Sequence, residues 1–171
     1  MVIQALVPCP DCRALVPDID GPTHAYLGGN AGCWQSWGEL QSSGMTRAGL
    51  GSVGVLAVDA YMAQHPGTEG RRQAQSVTVH LASICLVLEH GRTPQDGIRA
   101  KQVLLVRDPV FPWLPPPTDP GAITVADVLA ADDVVVAATV REWAGSVWSA
   151  WSAHHATIRQ LAGQALSGMY R

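Results

Sequence analysis

Apolar residues recur at spacings of three and four over most of this chain, and glycine and proline cluster where the recurrence stops. The clearest run lies between Gln73 and Glu89, where Val77, His80, Leu81, Ile84, Val87 and Leu88 share one helical face and Gly91 supplies the stop. A shorter helix is predicted over 55–67, closed by Pro66 and Gly67, because proline disfavours helical geometry in the residue before it. Pro94 opens another, to about Val106, with Ile98, Val103 and either Leu104 or Leu105 inward. Between Cys33 and Gln41, Trp34, Trp37 and Leu40 give a short amphipathic helix. Thr124 with Asp127 three residues on forms a weak capping arrangement for a helix over 124–132. The last and longest helix is predicted from Val136 to Leu166, with Val140, Ala144, Val147, Trp151, His154 or His155, Ile158 and Leu161 on one face.

Two stretches resist this reading. Met1 to Gly32 mixes Pro8, Pro10, Pro17 and Pro22 with Asp18, Asp20, Gly28, Gly29 and Asn30, which breaks both helix and strand. The segment 109-PVFPWLPPPTDPG-121 can build neither a regular helix nor a central strand and is expected as an extended, polyproline-like loop. No period-two alternation is sustained over several segments. The expected architecture is an all-α bundle of four to five helices in one domain over 1–171. It divides into a loop-rich start at 1–33, helices over 34–108, the proline-rich loop 109–121 and C-terminal helices over 122–171.

Composition narrows the function classes. With 171 residues, 47% of them hydrophobic and 15% charged, the chain can bury a core without disulfides. A formal charge of −3, with no basic run beyond Arg71-Arg72, lacks the footprint of a nucleic-acid binder. The start carries no basic residue ahead of its apolar run and meets Pro8 and Pro10 at once, which disfavours a signal peptide. No apolar stretch reaches the ~18 residues of a membrane span. The expectation is a cytoplasmic protein whose four cysteines are thiols or metal ligands. No partner is identified, and a homo-oligomer is left open.

The thiols carry the most definite chemistry. In 9-CPDC-12 two residues separate a pair of cysteines, which lets both sulfurs face one ion. Cys33 offers a third ligand, and His24, in a segment free to bend inward, is the first choice for a fourth; His65 and His80 remain open. A redox pair would need the motif at the start of a helix, which Pro17 leaves no room for. Thiols packed in a core are the bland alternative. That reading is assigned outright to Cys85, and the other three are read as zinc ligands.

Asp59, His65, His80 and His155 lie on predicted helices or at their ends, and facing helices of a bundle commonly build metal or acid–base sites in this way. Against that, His80 on an apolar stripe is more often a hydrogen-bonded core residue, and His65 before Pro66 can simply cap helix carbonyls. Of His154 and His155 at most one faces inward, His90 is expected at the surface, and Trp143, Trp148 and Trp151 are expected as core. No G-x-S-x-G, H-E-x-x-H, P-loop or Rossmann fingerprint is present.

Read in order, CPDC, 21-GPTHAY-26, 32-GCW-34, 58-VDAY-61, 64-QHPG-67, 75-QSVTVHL-81, 86-LVLEHG-91, 113-WLPPP-117, 124-TVADVLAA-131, 141-REWAGSVWSAW-151 and 154-HH-155 resemble a bacterial family, domain of unknown function 5946. The resemblance departs before VDAY, where that pattern often places a histidine and this chain has 55-VLA-57. It implies no reaction, but it places His24, Asp59, His65, His80 and the HH pair inside the motifs. Three functional expectations follow. The first is a structural zinc on Cys9, Cys12, Cys33 and His24 that pins the start to the bundle. The second is a hydrolase-like, metal-dependent enzyme with Asp59, His65, His80 and His155 in a pocket under the proline-rich loop. The third is an interaction module that docks 112-PWLPPP-117 in an aromatic groove.

Overall fold

The computed structural model describes residues 5–44 and 47–170. Among them are a two-stranded antiparallel hairpin and seven α-helices. The strands β1 (Leu6–Pro8) and β2 (Leu15–Pro17) pair Val7 with Val16. The helices are α1 (Ala31–Ser43), α2 (Leu50–Gln64), α3 (Arg71–His90), α4 (Pro94–Arg107), α5 (Val125–Ala130), α6 (Val136–Ala150) and α7 (His155–Met169).

The helical layer is the one the apolar spacing predicts, with α2 packed between α3 and α6 and with α4 and α7 closing the far side of α3. Along α3 the buried Val77, Leu81 and Ile84 face the core, and Gly91 ends the helix at φ 60, a left-handed position that glycine fills without a Cβ penalty. At the start of α4, Thr93 and Asp96 cap each other reciprocally ahead of Pro94. Asp127 Oδ2 accepts from both the backbone N–H and the hydroxyl of Thr124 at 2.8 Å, ahead of α5.

Four differences from the sequence reading have physical causes. The start contains a hairpin, because Val16 and Ala14 are buried against α1 while Leu6 and Leu15 point out, an alternation over strands too short to register among four prolines. Helix α2 begins at Leu50, ahead of the predicted 55, since burial of Leu50 and Val53 outweighs the low helix propensity of Gly51 and Gly54. On α4 it is Gly97, Ala100 and Leu104 that face inward, whereas Ile98 and Leu105 are exposed. The predicted helix over 136–166 is two helices, joined through Trp151 and a 3-10 turn at Ser152–His154.

That break follows from what each half packs on. A straight helix of that length would run about 46 Å, beyond the neighbours available to it. Instead α6 packs on α2, and α7 turns to pack on α4 and α3. The turn is pinned by Trp151 Nε1 donating to the Ala63 carbonyl at 3.2 Å and by His155 Nε2 donating to the Trp148 carbonyl at 2.8 Å. Trp143, Trp148 and Trp151 are core, as their spacing implies. The proline-rich stretch has no regular element. It is bound down by Gln64 Nε2 donating to the carbonyls of Pro120 and Ile123, and by His154 Nε2 donating to that of Pro115, with Leu114 buried beneath it.

Candidate metal centre

Three separate pieces of chain converge at the hairpin end of the bundle. The turn between β1 and β2 brings Cys9 and Cys12 to one side. It is closed by Cys9 N–H donating to Ala14 O at 2.8 Å and Arg13 N–H donating to Cys9 O at 3.0 Å, with Arg13 in the left-handed region at φ 64. Cys33 enters from the first turn of α1, where the Asn30 side chain accepts from its N–H at 3.0 Å. The fourth group is His65, the residue that ends α2. All four are essentially fully buried, and their ligand atoms lie within 4.8 Å of one another.

The separations suit one small ion. Cys12 Sγ lies 3.7 Å from Cys33 Sγ, His65 Nε2 lies 3.3 Å from Cys33 Sγ and 3.6 Å from Cys9 Sγ. A tetrahedral zinc with Zn–S bonds of about 2.3 Å sets its sulfurs about 3.8 Å apart. Three thiolates and an imidazole form the donor set of a structural zinc site. The ring is turned to present Nε2: its Nδ1 lies 2.7 Å from the Tyr61 carbonyl, which can only accept, so Nδ1 carries a proton and Nε2 is the nitrogen that faces the sulfurs and would ligate an ion on losing its own proton. Tyr61 stacks on that ring and on Trp37, and its hydroxyl lies 3.7 Å from Cys33 Sγ.

Electrostatics point the same way. Cys12 and Cys33 hydrogen-bond Cys9 and hold its thiol far below the ordinary thiol value, while Cys33 and Cys9, with burial, push Cys12 far above it. Burial works against a charged His65, but the Cys33 and Cys9 sulfurs outweigh it and lift the imidazole to about 10. Three sulfurs sharing one buried volume thus call for positive charge at the centre, from protons or from a metal. Glycine makes the approach possible: Gly29, at φ 101, passes so close that a Cβ there would sit 3.2 Å from His65 Cδ2 and 3.5 Å from Cys9 Sγ.

His24, the expected fourth ligand, is placed elsewhere. Its Nδ1 faces the backbone N–H groups of Tyr26 and Leu27 at 3.4 Å, and its ring sits edge-on to Tyr26 and Trp34. Sequence proximity favoured His24. The signal for His65 was its position at a helix end, because α1 and α2 run back past each other so that Cys33 meets His65 and Trp37 meets Tyr61.

The four residues expected in an enzymatic pocket fall in three places. His65 belongs to the thiol cluster. His155 stacks on Trp148 with ring centroids 3.7 Å apart, beside the Glu89–Arg159 ion pair. Asp59 and His80 do meet, with His80 Nδ1 donating to Asp59 Oδ1 at 2.7 Å. That carboxylate, fully buried, also accepts from Ser83 Oγ at 2.5 Å and from Lys101 Nζ. Gly97 lets α4 come this close, since a Cβ there would lie 2.1 Å from Ser83 Oγ. The arrangement orients His80 as a carboxylate orients a base, yet with three donors the carboxylate is equally the hub of a buried ion pair between α2, α3 and α4. Glu89 and His80 are nine residues apart on α3, about 14 Å of helix rise, which separates the Glu89–His155 group from this one. Cys85 is buried on α3, and burial beside Glu89 pushes its thiol up to about 12.

The chain belongs to a family of unknown function, DUF5946, whose model matches residues 7–152, from the hairpin through the turn after α6. No curated protein and no solved structure matches it. No helix among the described residues is long and apolar enough to cross a membrane.

Proposed function

We propose that Cys9, Cys12, Cys33 and His65 hold a structural zinc ion that fastens the N-terminal hairpin to the helical bundle. The observation that carries this reading is the convergence of four buried ligand atoms, from three segments distant in sequence, within 4.8 Å. All four coordination positions of a tetrahedral ion are taken by protein groups, which leaves none for water or substrate and marks a closed site. The hairpin makes few contacts of its own: it packs mainly on the start of α1, through Ala14 and Val16. An ion that joins it covalently to α1 and to the end of α2 supplies what a three-residue strand pair cannot. Thiolate ligands stay available in a reducing compartment, so the reading goes with a cytoplasmic location and with free cysteines at all four positions. Metal analysis of the purified chain tests it. One equivalent of zinc in the parent chain, lost in Cys9→Ser and in Cys33→Ser, is the expected result; one equivalent retained in both variants would overturn it.

A further inference from the structure

The chain has six histidines, and the partner of each decides which ring nitrogen keeps a lone pair. His24 accepts backbone N–H groups at Nδ1, so its Nε2 carries the proton. His154 and His155 turn Nε2 onto the carbonyl oxygens of Pro115 and Trp148, so there too Nε2 is the protonated nitrogen. His65 presents Nε2 to the buried sulfurs. His90 is exposed at the end of α3. His80 combines a fixed Nδ1–H with an Nε2 that has no hydrogen-bond partner among the described residues.

The surroundings of His80 suit a nucleophile. Asp59 is fully buried and is itself held by Ser83 Oγ at 2.5 Å, so its carboxylate stays on the imidazole Nδ1 at 2.7 Å. A carboxylate in that place fixes the tautomer, leaves the lone pair of the neutral ring on Nε2 and raises its basicity. The His80 side chain keeps 15% of its surface exposed, and its Nε2 is not sealed from solvent in the way Arg92 Nε is. The lone pair therefore opens outward from the middle of α3. Lys101 Nζ donates to the same Asp59 oxygen, which balances the carboxylate and sets an ammonium group near the ring, so an anionic reagent is not repelled.

We propose that His80 Nε2 is a phosphoryl-acceptor site, loaded by a small donor that carries a labile P–N or acyl-phosphate bond. The Nε2 lone pair forms the new N–P bond as the donor's bond to phosphorus breaks, and the leaving group departs with that electron pair. The positive charge left on the ring is met by Asp59, which holds the Nδ1 proton in its hydrogen bond. The phosphoryl group brings up to about two negative charges to the edge of the hub that joins α2, α3 and α4. Nothing in this step draws on a metal at the thiol cluster.

Incubation of the full chain with phosphoramidate at neutral pH tests the assignment, with phosphorus NMR and with peptide mapping kept alkaline to preserve the acid-labile N–P bond. Ammonia is the leaving group. His80 is expected to react about tenfold or more faster than His90 in the same molecule, the size of effect that an outer carboxylate has on the histidine it orients. The product at position 80 should be the Nε2 isomer alone, because Asp59 occupies Nδ1. Asp59→Asn should bring the rate at His80 down to that at His90. The rate ratio and the isomer in the parent chain decide the matter even where Asp59→Asn does not fold. His80 no faster than His90, the Nδ1 isomer at position 80, or a folded Asp59→Asn that keeps the full preference overturns the proposal.

Discussion

The Nδ1 nitrogen of His65 lies 2.7 Å from the carbonyl oxygen of Tyr61, one helical turn before it, and this single bond turns the imidazole so that Nε2 faces Cys33 Sγ at 3.3 Å. A helix-end histidine that looks like a carbonyl cap can serve as a cap and, under the zinc proposal, as a ligand at once, with one nitrogen for each role. His65→Ala is therefore expected to lose zinc as completely as Cys33→Ser, whereas His24→Ala keeps one equivalent. Chelation of the parent chain should lower Tm by about 10 °C. Zinc at a thousandfold excess over its Kd contributes about 4 kcal/mol, and for a chain of this size each kcal/mol moves Tm by about 2–4 °C. Zinc retained in His65→Ala and lost in His24→Ala would reverse the assignment.

Gly29 gives a test that leaves every ligand in place. Its φ of 101 is strained for any L side chain, and a Cβ would press on His65 Cδ2 at 3.2 Å while resting against Cys9. Gly29→Ala is expected to destabilise the chain by about 1–3 kcal/mol and to weaken zinc retention against a competing chelator. The same substitution at Gly163, whose Cβ would meet nothing within 4 Å, is the control and should be neutral or slightly stabilising.

The helical layer was legible because its residues repeat a local rule: Val77, Leu81 and Ile84 on α3, or Val140, Ala144 and Val147 on α6, declare their face within two turns of chain. Three of the four clustered ligands were legible for the same reason, since Cys-x-x-Cys is a local pattern and Cys33 opens a recognisable helix. His65 was legible only as an open alternative to His24, because its place depends on how the end of α2 meets the start of α1, a tertiary fact that no local spacing declares. The split at Trp151 was equally invisible: periodicity continues through it, and only the choice of partners, α2 for one half and α4 with α3 for the other, breaks the helix. Local patterning also could not gather Asp59, His65, His80 and His155, since each lies on a plausible face and nothing in the spacing says which faces meet.

Asp59 and Lys101 form a pair whose two halves should not be separable. The carboxylate is fully buried and the lysine side chain is 14% exposed, so removing either partner leaves a charge in a poorly solvated place. Asp59→Ala and Lys101→Met are each expected to cost about 3–5 kcal/mol in denaturant unfolding. Replacing both by apolar residues of similar size should recover much of that loss, because the hub is then absent instead of half present. Zinc content should be unchanged throughout. A double variant as unstable as the sum of the singles would show that the two side chains act independently.

Glu89 predicts an acid limb in the stability profile. Bidentate hydrogen bonds from Arg159 are the main influence, its charge and the indole N–H of Trp148 add to them, and together they hold the carboxyl at about 2, below its ordinary value of 4.5, against opposition from burial. A folded-state value below the unfolded one means that the stabilisation is fully present above about 4.5 and is lost as the pH falls from there toward about 2. Because Glu89 is partly exposed, solvent and salt screen the pair, so the effect should be modest and should shrink further at high ionic strength. Glu89→Gln is expected to flatten the decline of Tm between those two pH values and to leave the profile near neutrality little changed in shape. Acid also displaces metal from thiolate sites, so the comparison is best read as parent against variant at matched metal content. An undiminished acid limb in Glu89→Gln would assign the decline to groups other than the Glu89–Arg159 pair.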